Sequence, residues 1–158
     1  MKITLIFPPM LTAISQMDVI TPPMGVAYLA SFMMKEGVDV QLIDAQGEEP
    51  DGNYPFKKGT TIRGLSFDKI LERIDPKTSL IGISSLFTVG FPVVVDLSLR
   101  IKEEFPEIPI ILGGNHPTYM PEESLKDSNA DFVILGEGEY PLARFCEYLD
   151  EKCSLEDI

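Results

Sequence analysis

The sequence holds no tryptophan, one histidine (His116) and two cysteines, Cys146 and Cys153. Two cysteines cannot build a disulfide framework, and with a single histidine they fall short of the four ligands of a structural zinc site. Basic residues are scarce: 13 lysines and arginines stand against 25 aspartates and glutamates, a formal net charge of −12. A surface of that sign repels phosphate backbones and anionic headgroups, so neither nucleic acid nor a membrane surface is an expected partner. Every apolar run ends well short of the roughly 18 residues that mark a membrane-spanning helix. The chain passes from Lys2 into a short strand-like run and then Pro8-Pro9, without the apolar stretch and cleavage site of a signal peptide. A cytoplasmic domain is the expectation.

What is there is an ordinary globular composition, 158 residues of which 44% are hydrophobic. That length suits one domain with a sizeable core, taken here as residues 1–158. Five short apolar runs read as strands: Ile3 to Phe7, Val38 to Ile43, Leu80 to Ser84, Ile108 to Leu112 and Phe132 to Leu135. Four are nearly continuous, as strands buried on both faces are, while Val38, Val40 and Leu42 alternate as on an edge strand. Helical spacing lies between them. Val26, Leu29, Ala30 and Met33 mark one helix, and Phe67, Ile70, Leu71 and Ile74 another, with Ser66 placed as its N-cap. Val94, Leu97, Ile101 and Phe105 mark a third, Pro121 to Lys126 a shorter one, and Leu142, Phe145, Cys146 and Leu149 the last.

Alternation of strands and helices implies a parallel sheet with helices on both faces. Five strands at this length fit an α/β, three-layer α/β/α, doubly wound sheet of the flavodoxin-like (Rossmann-like) kind, strand order 2-1-3-4-5. Ligands of such sheets bind beyond the carboxyl ends of the strands, here the loops after the first, third and fourth. Two connections exceed the usual length: Pro8 to Pro23, at that binding edge, and Gln46 to Gly64, a polar, glycine-rich stretch that reads as a surface insertion. Met10, Leu11, Ile14, Met17, Ile20 and Met24 make the first an apolar segment, either a self-packed cover or a surface against a ligand.

At the binding edge, Ser84 and Ser85 with Leu86 follow the third strand, and Gly113-Gly114 closes the fourth, followed by Asn115 and His116. Glycine lets a ligand approach the backbone, and serine can hydrogen-bond a heterocycle, but a double glycine is equally a tight turn. The spacing adds to this. Ser84-x-Leu86, 26 intervening residues and Gly113-Gly114 resemble the second half of the cobalamin-binding fingerprint, D-x-H-x-x-G … S-x-L … G-G. In the first half Gly25 stands at the final glycine, but Ile20 occupies the place of the aspartate and Pro22 that of the cobalt-ligating histidine.

That departure, with Pro22 to Ala30, Gly37 to Asp44, Gly113-Gly114-x-His116-x-Thr118 and Asp131 to Glu139, resembles the N-terminal cobalamin-binding domain of cobalamin-dependent radical S-adenosylmethionine enzymes. The resemblance implies bound cobalamin, with Ser84 and Leu86 on one wall of a slot for its nucleotide tail and Gly113 and Gly114 on the other. Ser85, Gly25 and Gly136 become further cofactor contacts. His116 is a contact, a lower ligand from an unusual loop, or a turn residue. It also implies a radical S-adenosylmethionine barrel as partner domain. S-adenosylmethionine and the [4Fe-4S] cluster would reside there, because Cys146 and Cys153 do not fit C-x-x-x-C-x-x-C. A methyltransferase is the expected parent, and no catalytic residue or metal ligand is expected in this chain. The alternatives are a cofactor-free assembly or substrate-binding module and a flavin or nucleotide carrier. Pro8-Pro9-Met10-Leu11 is a poor phosphate loop for the carrier. Gly136-x-Gly138 is another poor one, because Glu137 and Glu139 would face the anion. A response-regulator receiver lacks its acidic residues, since Phe7-Pro8 and Ser84-Ser85 stand at those places.

Overall fold

The structure, a computed structural model, describes residues 1–13, 22–57 and 59–158. Five parallel strands form the main sheet: β1 (Lys2–Phe7), β3 (Asp39–Asp44), β6 (Leu80–Ser84), β7 (Ile110–Gly113) and β8 (Phe132–Val133). Their order is β3-β1-β6-β7-β8, the 2-1-3-4-5 winding that the alternation implies. The edge strand β3 is the one whose apolar residues alternate, and the central β1 and β6 are buried along most of their length.

Strand alternation divides the core in two. Ile3, Leu5, Leu80 and Ile111 face one side, where α1 (Met24–Lys35) packs through Val26, Ala30 and Met33, and α7 (Glu139–Leu149) through Leu142, Phe145 and Cys146. Ile6, Ile81, Ile83, Ile110 and Leu112 face the other, against α3 (Phe67–Arg73) and α4 (Phe91–Glu104). Ser66 caps α3 by accepting the Lys69 N–H at 3.3 Å, as its position predicts. Phe105 ends the α4 pattern one residue beyond the helix.

The described parts of the two long connections carry strands that the sequence did not suggest. The first contributes β2 (Met10–Ala13) and the second β4 (Asn53–Pro55) and β5 (Thr60–Arg63), which form a three-stranded antiparallel sheet in the order β2-β5-β4. Leu11 pairs with Ile62 and Thr12 with Thr61, whose hydroxyls lie 3.0 Å apart. Gln46 to Gly64, expected as a surface insertion, thus carries two strands of this small sheet. Ile62 and Leu65 are buried, and Leu11, Tyr54 and Phe56 pack on the α3/α4 core. Phe56 meets Phe67 edge-on at 6.2 Å. Lys69 holds Glu49 at 2.6 Å and the Tyr54 hydroxyl at 2.8 Å, which keeps the Glu49 carboxyl below its ordinary range. A short helix, α2 (Ala45–Glu48), is capped by Asp44. Ile14, Met17 and Ile20 of the apolar segment lie outside the described residues. Among those described, no helix is long and apolar enough to cross a membrane.

Candidate functional site

The register of the three central strands builds a slot. Leu5 on β1, Gly82 on β6 and Ile111 on β7 stand side by side, and one step along the same face Ser84 stands beside Gly113. The face is the one covered by α1 and α7. Gly82 brings no side chain to it, so the floor is low where the sheet is centrally buried. A cleft of about 490 Å³ runs over this floor. Its other sides come from Gly25, Val26, Tyr28 and Leu29 of α1, from Ile134 and Gly136–Glu139, and from Leu142 of α7.

Glycines keep the slot clear. Among the described residues, a Cβ on Gly25, Gly113 or Gly136 would meet nothing within 4 Å. Each therefore leaves free volume that any other residue would take up. Gly114 is glycine for another reason. Its φ is +108°, and a Cβ there would lie 2.7 Å from the Ser85 carbonyl oxygen. The backbones of the two walls touch at that point.

Six of the eight residues singled out from the sequence line the slot: Gly25, Ser84, Leu86, Gly113, Gly114 and Gly136. Ser85 and His116 do not. Ser84, the last residue of β6, and Leu86 beyond it line the slot, whereas Ser85 between them does not. Ser85 is buried, and its Oγ has no hydrogen-bond partner within the described chain. His116 lies in a short helix, α5 (Asn115–Tyr119), where the sequence suggested only a turn. Its ring is 4% exposed and tilts over Phe91 at 4.0 Å between centroids. The Nδ1 sits 3.1 Å from the Thr88 Oγ1, and the Nε2 is buried without a partner. Burial pushes the imidazole below its ordinary range, and the Glu123 carboxylate offsets part of that.

The slot also uses residues that sequence reasoning passed over. Gly82 is the foremost. A lone glycine inside the apolar run Leu-Ile-Gly-Ile-Ser was a readable signal of close backbone approach. Tyr28, Leu29 and Asn115 line it too. They carry no such signal, because helical spacing marks Leu29 only as a core position and leaves Tyr28 as a surface residue.

The charge of the site is one-sided. No lysine or arginine appears among the described lining residues, while Glu137 and Glu139 stand at the mouth. Around that mouth Met24, Leu86, Phe87, Val89, Leu135 and Tyr140 are exposed. An apolar rim over a neutral, glycine-lined slot suits a flat heterocycle and a large apolar face better than a terminal phosphate. Among the described residues no three His, Cys, Asp or Glu side chains are grouped to hold a metal ion.

Comparison with known proteins agrees with this geometry. The B12 binding domain family matches residues 11–145. The chain is 32% identical over 147 residues to the cytidylyl-2-hydroxyethylphosphonate methyltransferase of Streptomyces wedmorensis, covering 87% of this chain and 26% of that protein. It is 30% identical to an uncharacterized methyltransferase of Pyrococcus horikoshii, over 100% of this chain and 31% of the other. A similar match joins it to the anaerobic magnesium-protoporphyrin IX monomethyl ester cyclase of Synechocystis, at 30% identity over 87% of this chain and 25% of that one. The chain thus spans between a quarter and a third of these relatives. Among solved structures, the cobalamin-dependent S-adenosylmethionine radical enzyme OxsB, with aqua-cobalamin bound, superposes with a TM-score of 0.69 at 21% identity, covering 98% of this chain and 19% of that one. The radical S-adenosylmethionine methyltransferase TsrM from Kitasatospora setae gives 0.63 at 16%, over 98% and 26%. A fold shared with both, a matching family over residues 11–145 and a glycine-lined slot at the sheet's carboxyl edge lead to one conclusion: the chain belongs to the B12 binding domain family.

Proposed function

We propose that this chain holds cobalamin for a radical S-adenosylmethionine methyltransferase, with the nucleotide tail of the cofactor in the slot and its corrin over the apolar rim. The observation that carries the reading is the open space in front of Gly25, Gly113 and Gly136. Three glycines on three separate elements line one cleft and put no side chain into it, which core packing alone does not ask for. The residues present fit the group: Ser84 and Asn115 offer hydrogen bonds to a heterocycle, and Gly82 with Leu5, Ile111 and Leu142 makes an apolar bed for it.

When bound, the cofactor supplies a cobalt centre able to carry a methyl group. The part of this chain is to bind and orient. Leu86, Phe87 and Val89 would offer exposed apolar surface to the corrin. His116, the one histidine of the chain, is buried on the far side of the sheet from the slot, with its Nδ1 engaged by Thr88. On this reading, cobalt would receive no histidine ligand from His116. Methyl transfer itself belongs to a barrel domain carrying S-adenosylmethionine and the iron–sulfur cluster. The unfilled volume favours a bound cofactor over a cofactor-free module, and Pro8-Pro9-Met10-Leu11 after the first strand is a poor phosphate loop for a flavin carrier.

The test is an absorbance titration of the chain with hydroxocobalamin and methylcobalamin, followed by gel filtration. Co-elution with a base-off spectrum is the expected result. A base-on spectrum would keep cobalamin but reject the tail in the slot, and no binding would reject the reading.

A further inference from the structure

Two side chains that do not line the slot hold its walls. Thr118, in α5, donates its hydroxyl to the Gly114 carbonyl at 2.8 Å and accepts the Gly136 N–H at 3.0 Å. One hydroxyl thus joins the double-glycine wall to the loop that carries Gly136. Two residues earlier, His116 ties the same helix to the third wall. Its backbone N–H donates to the Ser85 carbonyl at 3.1 Å, and its Nδ1 pairs with the Thr88 hydroxyl at 3.1 Å. Ser85 and Thr88 flank the exposed Leu86 and Phe87.

We propose that Thr118 and His116 are positioning residues that set the width of the slot, so that Gly113-Gly114-Asn115-His116-Pro117-Thr118 acts as one clasp across three loops. The inference rests on the cobalamin reading. It assigns that segment a task beyond lining the site. The glycines provide the space, and the two polar side chains keep it at constant width. A hydroxyl serves here because it donates in one direction and accepts in the other. Valine has the shape of threonine and neither capacity. The Gly114 carbonyl would keep the backbone N–H of residue 118, at 3.2 Å, but the Gly136 N–H would lose its side-chain partner, and the Gly136 loop would be free to drift. Phenylalanine at 116 would keep the ring against Phe91 and lose the bond to Thr88.

The test compares hydroxocobalamin affinity and dissociation rate for the parent chain, Thr118→Val, Thr118→Ser and His116→Phe, all at a temperature where each is folded by circular dichroism. Amide exchange at Gly136 is measured without ligand. Losing one neutral hydrogen bond weakens binding by about fivefold, and losing both of those made by Thr118 by tenfold or more, on the order of 1 kcal/mol each. The expected result is weakened binding and faster Gly136 exchange in Thr118→Val, rescue of both in Thr118→Ser, and weakened binding in His116→Phe. A merely structural hydroxyl would lower the melting temperature of Thr118→Val and leave affinity at the parent value, which overturns the proposal. So does a serine variant that binds as poorly as the valine one. If the parent itself fails to bind, the cofactor reading falls and takes the assigned role with it, whatever Gly136 exchange shows.

Discussion

The side chain of Leu5 leans over Gly82: a Cβ built on that glycine would stand 2.7 Å from the Leu5 Cδ2. The two are neighbours across β1 and β6, and together they form the slot floor. Gly82→Ala is therefore expected to push Leu5 up into the slot. Overpacking of this kind costs about 1–3 kcal/mol. Binding is expected to weaken more than stability does, and a bulkier Gly82→Val to abolish it. Isothermal titration beside a chemical melt separates the two, and Gly82→Val binding at parent affinity would show that the floor is elsewhere.

The two glycines at the end of β7 are expected to fail in different ways. Gly113→Val meets open space, so its melting temperature should stay near the parent's while cobalamin binding is lost. Gly114→Ala must take a φ of +108° against the Ser85 carbonyl. It is expected to lose about 2 kcal/mol or more, several degrees in a chain of this length. Thermal melts of the pair, read with binding, check this; equal behaviour would contradict it.

His116 gives the chain a pH dependence that can be isolated. In the unfolded chain its imidazole titrates near 6.5. In the folded chain burial holds it lower. The neutral form is thus favoured by folding. The associated stability is present above the unfolded value and is lost as pH falls from there through the folded one. As the only histidine, its ring protons are assigned at once in a proton spectrum. Their midpoint should lie below 6.5, and the parent should lose stability relative to His116→Asn between neutral pH and pH 5. A midpoint at or above the ordinary value would refute it.

The same variant tests the lower face of cobalt. At saturating hydroxocobalamin, His116→Asn should show the visible spectrum of the parent, since the ring reaches no ligand in the slot. A histidine-ligated parent spectrum that vanishes in the variant would mean that α5 turns over on binding.

Thiol chemistry should distinguish the two cysteines. Burial on the inner side of α7 pushes the Cys146 thiol up to about 11. At pH 8 about one molecule in a thousand carries that thiolate. Brief iodoacetamide treatment followed by peptide mass spectrometry should label Cys153, which is partly exposed, and spare Cys146.

The strands and their order were legible because each buried strand is a continuous apolar run, and alternation of strand and helix leaves few windings to choose from. The same property placed Ser84 opposite Gly113, since neighbouring parallel strands end together. The small sheet was not legible. Its pairing of Leu11 with Ile62 joins segments some fifty residues apart, and no local pattern encodes that. Only Thr60-Thr61-Ile62, three β-branched residues in a row, hinted at a strand. The place of His116, left open by the sequence between a cofactor contact, a lower ligand and a turn residue, was not legible for a related reason. Whether a residue after a glycine turn faces the ligand or the core depends on the one-turn helix that follows, and Asn-His-Pro-Thr-Tyr has little helical signal of its own.

The two buried clusters divide the molecule in a way that bears on its motions. The side-chain-free positions Gly25, Gly113 and Gly136 border the slot on the α1/α7 face, whereas the α3/α4 face is filled by seventeen buried residues and backed by the small sheet. Without ligand, the first face has fewer contacts to lose when it opens. Its amides should exchange through low-energy local unfolding while those of α4 wait for the whole domain to unfold. Ligand then stabilises one layer and leaves its neighbour nearly unchanged. The central sheet behaves as a bulkhead, with a compartment that responds to its cargo on one side and ballast on the other.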